Sequence, residues 1–291
     1  MSTANVTQSE NPTGKAIELE TTATQNGTDG TKMVLRLENV NKAFHQRTAD
    51  VYQALRGVSL EVPEGDFITI VGGNGAGKST LLNVISGSIL VDSGAVKIDE
   101  RDVTRVVEED RAALVGRIFQ DPKLGTAPRM TVAENLLLAQ KRGENRGFRV
   151  SMTEAKRAEF RSVLAPLQLG LEDRLDTEIG VLSGGQRQSV ALIMATLKAP
   201  RLLLLDEHTA ALDPKTAKKV LSYTARVVAE HGLTALMITH HLKDALSYGN
   251  RMLVMNHGRI VHDFDASAKA AMTDAELYTM VGELEDEDVE Q

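Results

Sequence analysis

The sequence predicts an α/β fold: a mainly parallel sheet covered by helices, with an antiparallel β subdomain before it and a helical insertion within it. Three observations carry this expectation. "FITIV" (Phe67 to Val71) and "LLLLD" (Leu202 to Asp206) are unbroken apolar runs, as strands of a parallel sheet must be when both faces are covered. "LRLENV" and "VSLEV" alternate, the pattern of strands with one face in a core. From about Thr131 to Lys198 apolar or alanine positions recur at helical spacing, as in "TEAKRAEFRSVLAPL".

Taken in order, Met1 to Lys32 is rich in Thr, Asn, Gly and Gln with few large apolar residues, so residues 1–32 are expected to be a disordered leader. The folded body is expected over 33–282. It opens with the alternating strands, with "PEGD" (Pro63 to Asp66) as a turn, and continues into "FITIV" as the first buried strand. The helical subdomain is expected over about 123–199, between two strands of one sheet. "LLLLD" follows, then a helix-like stretch from Lys215 to His231, which serves as the crossover to a third buried strand, "ALMIT" (Ala235 to Thr239). Residues 283–291, "ELEDEDVEQ", read as an acidic, solvated tail.

The net charge of -7 is uneven. Residues 1–32 carry -2, with Lys15 and Lys32 against Glu10, Glu18, Glu20 and Asp29, and Glu283 to Glu290 carry -6, which leaves +1 on the body. A near-neutral body offers no basic field to gather nucleic acid or anionic lipid. The absence of cysteine excludes disulfides, thiolate metal sites and a cysteine nucleophile, and fits a reducing compartment. No window reaches the roughly 18 to 20 apolar residues of a transmembrane helix, and no secretory signal opens the chain.

"GGNGAGKST" (Gly72, Gly73, Asn74, Gly75, Ala76, Gly77, Lys78, Ser79, Thr80) fits the G-x-x-x-x-G-K-[ST] phosphate loop. It follows a buried strand and opens a helix with Leu81, Val84 and Ile85 on one face, the setting this motif needs. Its glycines let successive N–H groups turn toward phosphate oxygens, and the helix start adds partial positive charge. Lys78 supplies a full charge and Ser79 a hydroxyl ligand for Mg²⁺. The chain therefore reads as a P-loop NTPase. At the end of "LLLLDE", Asp206 can hold Mg²⁺ through water, and Glu207 can orient and polarise the attacking water.

"LSGGQRQ" is a second anion-seeking helix start. Ser183, Gly184, Gly185 and Gln186 precede Val190, Ile193, Met194 and Leu197 at helical spacing. One triphosphate cannot easily fill both cradles of one chain. The simplest resolution is a head-to-tail pair in which each copy lends its Ser183 cradle to the nucleotide on the other's Lys78 loop, so that ATP binding closes the dimer and hydrolysis opens it.

"GGNGAGKST", "LSGGQRQ", "LLLLDE", "ALD" and "TH" come in the order and rough spacing of the ATP-binding-cassette (ABC) ATPases, a resemblance that covers Met33 to about Val261. It implies that "LSGGQ" contacts the partner's ATP. It further implies that Gln120 in "IFQDP" is a glutamine that senses Mg²⁺ or the attacking water and links the core to a membrane subunit. Phe44 resembles the aromatic that stacks on adenine; Tyr52 is the second candidate, and a plain core role is the alternative. Asp213 matches an aspartate at the dimer seam. His240 matches the switch histidine that reaches the γ-phosphate; His241 stands where an acidic or amide residue is usual, so the register leaves the neighbours as alternatives. His208 and Ala210 replace the commoner proline and serine.

The chain holds one cassette, no long coiled coil and no zinc-type cysteines, which disfavours the translation and repair branches. The expected role is an ATPase subunit on the cytoplasmic face of the cell membrane, bound to permease subunits and served indirectly by an extracytoplasmic substrate-binding protein. Its closer resemblance is to the ATPase component of bacterial tryptophan- or tyrosine-type importers. An exporter ATPase and a soluble ATPase of an assembly process are the alternatives.

Overall fold

The computed structural model describes residues 32–45, 51–143 and 152–286. All of the expected leader except Lys32, a stretch of the helical insertion (144–151) and the last five residues of the acidic tail lie outside them.

The chain opens with two long antiparallel strands, β1 (Met33–Phe44) and β2 (Tyr52–Pro63), which pair from Met33↔Pro63 to Phe44↔Tyr52 with several register shifts. Pro63 to Asp66 does not close a hairpin. It passes the chain from this sheet into β3 (Phe67–Val71), every residue of which is buried. Next come α1 (Lys78–Ser86), ended by left-handed Gly87, then β4 (Ser93–Ile98), β5 (Arg101–Asp102), α2 (Glu108–Arg111) and β6 (Val115–Ile118). The helical insertion supplies α3 (Val132–Gln140), α4 (Glu154–Leu164) and α5 (Gly184–Thr196). Capping boxes fix the starts of α3 (Thr131 with Glu134) and α5 (Ser183 with Gln186), each supplying partners that the first helical N–H groups lack.

Strand β7 (Leu202–Asp206) leads into α6 (Pro214–Glu230), which crosses to β8 (Thr234–Ile238). Then follow α7 (Leu242–Ser247), β9 (Arg251–Asn256), β10 (Arg259–Phe264), α8 (Ala266–Ala271) and α9 (Asp274–Asp286). The helix α9 runs into the acidic stretch, so its first residues are helical.

The strands form two sheets, ordered β2-β1-β4-β5 and β10-β9-β3-β8-β7-β6. The first is antiparallel and the second parallel except at the β9–β10 edge, so the fold is the mixed α/β architecture of a P-loop NTPase. One core joins the antiparallel sheet and α1 to one face of β3, β7 and β8; α5 and α6 cover the other face through Leu192, Val220 and Leu221. The insertion has its own cluster around Phe160, Leu164, Leu171 and Val190. Truncating fully buried Phe160 to alanine would cost about 3–5 kcal/mol at such a site.

The register places the functional loops together. Ile70 of β3 pairs with Ile238 of β8, Asp206 of β7 pairs with the same Ile238, and Ile118 of β6 pairs with Leu205. The loops leaving these four neighbouring strands therefore open along one carboxyl edge, where α/β sheets bind their ligands.

Candidate active site

On that edge, residues Asn74 to Thr80 wrap a cleft that Tyr52, Glu207 and His240 also line. Glycine is required at two bends of the loop. Gly72 has φ +144°, and a Cβ there would lie 2.1 Å from the Met255 carbonyl oxygen. Gly77 has φ +97°, and a Cβ would lie 2.4 Å from the Ala54 carbonyl oxygen. The Lys78 ammonium is buried and donates to the carbonyl oxygens of Gly72 and Gly73, both at 2.7 Å, which folds it across the cradle.

Behind the cradle, Ser79 Oγ donates to Asp206 Oδ1 at 3.4 Å. Burial pushes the Asp206 carboxyl above the ordinary range and the Glu207 charge adds to this, while Arg117 pulls the other way. Ser79 and Asp206 are hard oxygen donors, which suit Mg²⁺. Among the described residues there is no cluster of three or more His, Asp or Glu able to hold a metal, so a Mg²⁺ ion here would complete its shell from phosphate and water.

Glu207 follows with φ +43°, its N–H bonded to the Ile238 carbonyl oxygen at 3.2 Å. The sharp turn sends two consecutive acids to different partners: Asp206 meets Ser79, and the Glu207 carboxylate contacts His240 Nε2. Next to them His208 is fully buried against Thr224 Oγ1 at 3.2 Å, and burial depresses its pKa to about 4, so the ring is neutral.

The remaining expected residues fall into three places. Gln120 is exposed two positions beyond β6, on the same edge but outside the cleft lining. Phe44 is half-buried at the end of β1, with the Lys42 ammonium 5.7 Å from its ring, and is also outside the lining; Tyr52 is the aromatic on the cleft, its hydroxyl donating to the Gly75 carbonyl oxygen. Ser183, Gly184, Gly185 and Gln186 do not line the cleft of their own chain. Ser183 Oγ accepts from the Gln186 N–H at 3.3 Å, and a Cβ on Gly185 would lie 2.4 Å from Thr216 Cγ2, so this turn sits tightly on α6. Asp213 caps α6 by accepting from the Thr216 N–H at 3.0 Å, and hydrogen bonding from the Thr216 side chain together with that N–H holds its carboxyl below the usual range.

Two polar side chains at the site were not singled out from the sequence. Gln188 Nε2 donates to the Phe119 carbonyl oxygen at 3.1 Å and joins α5 to the segment before Gln120. Arg117 lies between Asp206, α1 and Phe119. Its signal was a charged residue inside the short apolar strand "VGRI".

Comparison with known proteins agrees with this geometry. Residues 55–210 match the family model described as ABC transporter. The chain is 42% identical over 244 residues to the tyrosine transport ATP-binding protein of Clostridioides difficile (strain R20291), covering 84% of this chain and 97% of that one. It is 36% identical to the aliphatic sulfonates import ATP-binding protein SsuB 2 of Agrobacterium fabrum (strain C58 / ATCC 33970), covering 80% and 83%. Among solved structures, it resembles a post-hydrolysis dimer of the ATP-binding cassette MJ0796 bound to ADP and Pi, with 29% identity, TM-score 0.69 and coverage of 80% and 98%. The ADP conformation of MJ1267, an ATP-binding cassette of an ABC transporter, gives 31% identity, TM-score 0.71 and coverage of 87% and 98%. A phosphate loop, a second helix-start motif and an acid pair in this order, matched by relatives over most of their length, place the chain in the ABC transporter family as an ATPase whose hydrolysis is coupled to transport.

Proposed function

We propose that this chain is the ATPase subunit of an importer for an amino acid or a similar small solute. It works on the cytoplasmic face of the membrane, docked on permease subunits that an extracytoplasmic substrate-binding protein supplies. The observation that carries this reading is the 42% identity across nearly the whole of a relative named for tyrosine transport. Among the described residues no helix is long and apolar enough to cross a membrane, which suits a subunit that borrows its membrane path from others.

In this reading the amides of the 72–80 loop and Lys78 bind the phosphates, and Phe44 or Tyr52 packs on the base. Ser79 and Gln120, with Asp206 through water, would hold Mg²⁺, which would supply charge neutralisation at the phosphate oxygens. Glu207 orients the attacking water and accepts its proton, and His240 steadies Glu207 and reaches the γ-phosphate.

The cleft of one chain measures about 170 Å³, below the roughly 300–1,000 Å³ of a ligand pocket. That shortfall supports a pocket completed by a second copy, whose Ser183 to Gln186 turn covers the γ-phosphate and whose Asp213 lies at the seam. The helical insertion of about 123–199, with its separate core, carries that turn as a subdomain.

The test is purification of the chain with its membrane partners in detergent, followed by reconstitution into vesicles. Uptake of an aromatic amino acid that needs ATP on the side of this chain and the binding protein on the other is the expected result. ATP-driven movement in the opposite direction, or partners that are all soluble, would contradict it.

A further inference from the structure

Arg117 is placed where a simple scaffold residue has no need to be. Its side chain is nine-tenths buried, and its two terminal nitrogens reach three structural parts at once. Nη2 donates to Asn83 Oδ1 of α1 at 2.6 Å and lies 3.7 Å from Asp206 Oδ2. Nη1 donates to Ser86 Oγ at 3.1 Å and Ser88 Oγ at 2.9 Å, at and just beyond the end of α1, and lies 3.9 Å from Glu108. The guanidinium also lies over the Phe119 ring, 4.4 Å from its centroid. Phe119 in turn precedes Gln120, and its carbonyl is held by Gln188 of α5.

Only Asp206 among these partners belongs to the proposed metal site, and the pairing has a direction. The helix that carries Lys78 and Ser79 anchors the arginine from one side, and the arginine then holds the Asp206 carboxylate from the other. Lysine could supply the charge, but not the planar fork that bonds α1 while facing a carboxylate and an aromatic ring together.

We propose that Arg117 is a positioning residue that holds Asp206 in place for the metal of a bound nucleotide and ties that placement to the segment leading into Gln120. It touches neither nucleotide nor metal; it acts through Asp206 and Phe119. The inference rests on the reading of Asp206 as serving Mg²⁺. Outer-shell partners of this kind are worth roughly 10- to 100-fold in metal affinity.

The experiment measures the affinity of the full-length chain for a fluorescent ATP analogue, once in EDTA and once in Mg²⁺, and compares the two dissociation constants. Wild type should bind more tightly with Mg²⁺. Arg117→Gln should lose roughly tenfold of that tightening while its affinity in EDTA stays unchanged, and Arg117→Lys should fall between. Should Arg117→Gln fail to give a cooperative thermal melt, Asn83→Ala, which leaves the arginine but removes its anchor on α1, should show a smaller loss of the same sign. An unchanged Mg²⁺ dependence in these variants, or equal weakening with and without metal, overturns the role of Arg117 and leaves Asp206 untouched. A wild-type chain whose nucleotide affinity ignores Mg²⁺ overturns the reading of Asp206 as well.

Discussion

Glu207 shows at one residue how the site is assembled. Its left-handed backbone costs about 1–2 kcal/mol for a residue with a Cβ, and the turn is what separates Asp206 and Glu207 into different contacts. Glu207→Gln keeps the shape and loses the proton acceptor, so turnover should fall by roughly 10²- to 10⁴-fold while ATP binding persists and a nucleotide-bound dimer accumulates. An unchanged turnover rate would remove Glu207 from its assigned role. The neighbouring His208 gives a pH effect with a definite sign. Its pKa drops from 6.5 to about 4 on burial, so between those values the unfolded chain takes up a proton that the folded chain refuses. Above pH 6.5 neither state is charged there and stability is whole; as pH falls toward 4 up to about 3 kcal/mol is lost, and below 4 nothing more. The urea midpoint of wild type should therefore fall more between pH 7.5 and pH 4.5 than that of His208→Gln, and equal falls in the two proteins would refute this. The acids and the phosphate loop were legible in the sequence because each is a contiguous string. Arg117 was not, since its meaning arises only when β6 lies beside β7 and α1 stands over both.

Among the elements, the buried strands announced themselves through unbroken apolar runs, and α6 through its place between two of them. Strand β6 did not, because Gly116 and Arg117 interrupt it, and the "PEGD" turn, read from its composition, gave no sign that it joins two sheets. The packing of α5 on α6 makes a prediction of its own. A methyl on Gly185 would meet Thr216 Cγ2 at 2.4 Å, so Gly185→Ala should cost about 1–3 kcal/mol through overpacking. Adding Thr216→Ser removes the opposing methyl and should restore the melting temperature. If hydrolysis stays low in the repaired double variant, the turn also acts beyond its own chain; a melting temperature that does not recover would show the contact to be misassigned.

For the whole molecule, everything turns on a cleft of about 170 Å³ in one copy and a second helix start, Ser183 to Gln186, that is not part of its lining. Two copies related by a two-fold axis would complete both clefts with the same contact made twice, which is the economy of an isologous dimer. In that arrangement ATP would hold the halves together, and its hydrolysis would remove part of the glue. This claim is tested most directly by mixing two inactive variants, Lys78→Ala and Ser183→Arg, and measuring ATP hydrolysis. Mixed dimers hold one site with both defects and one with neither, so hydrolysis should return to about a quarter of the wild-type rate at equal mixing. Mixed dimers shown to form, yet hydrolysing no faster than either variant alone, would contradict a nucleotide site shared between two chains.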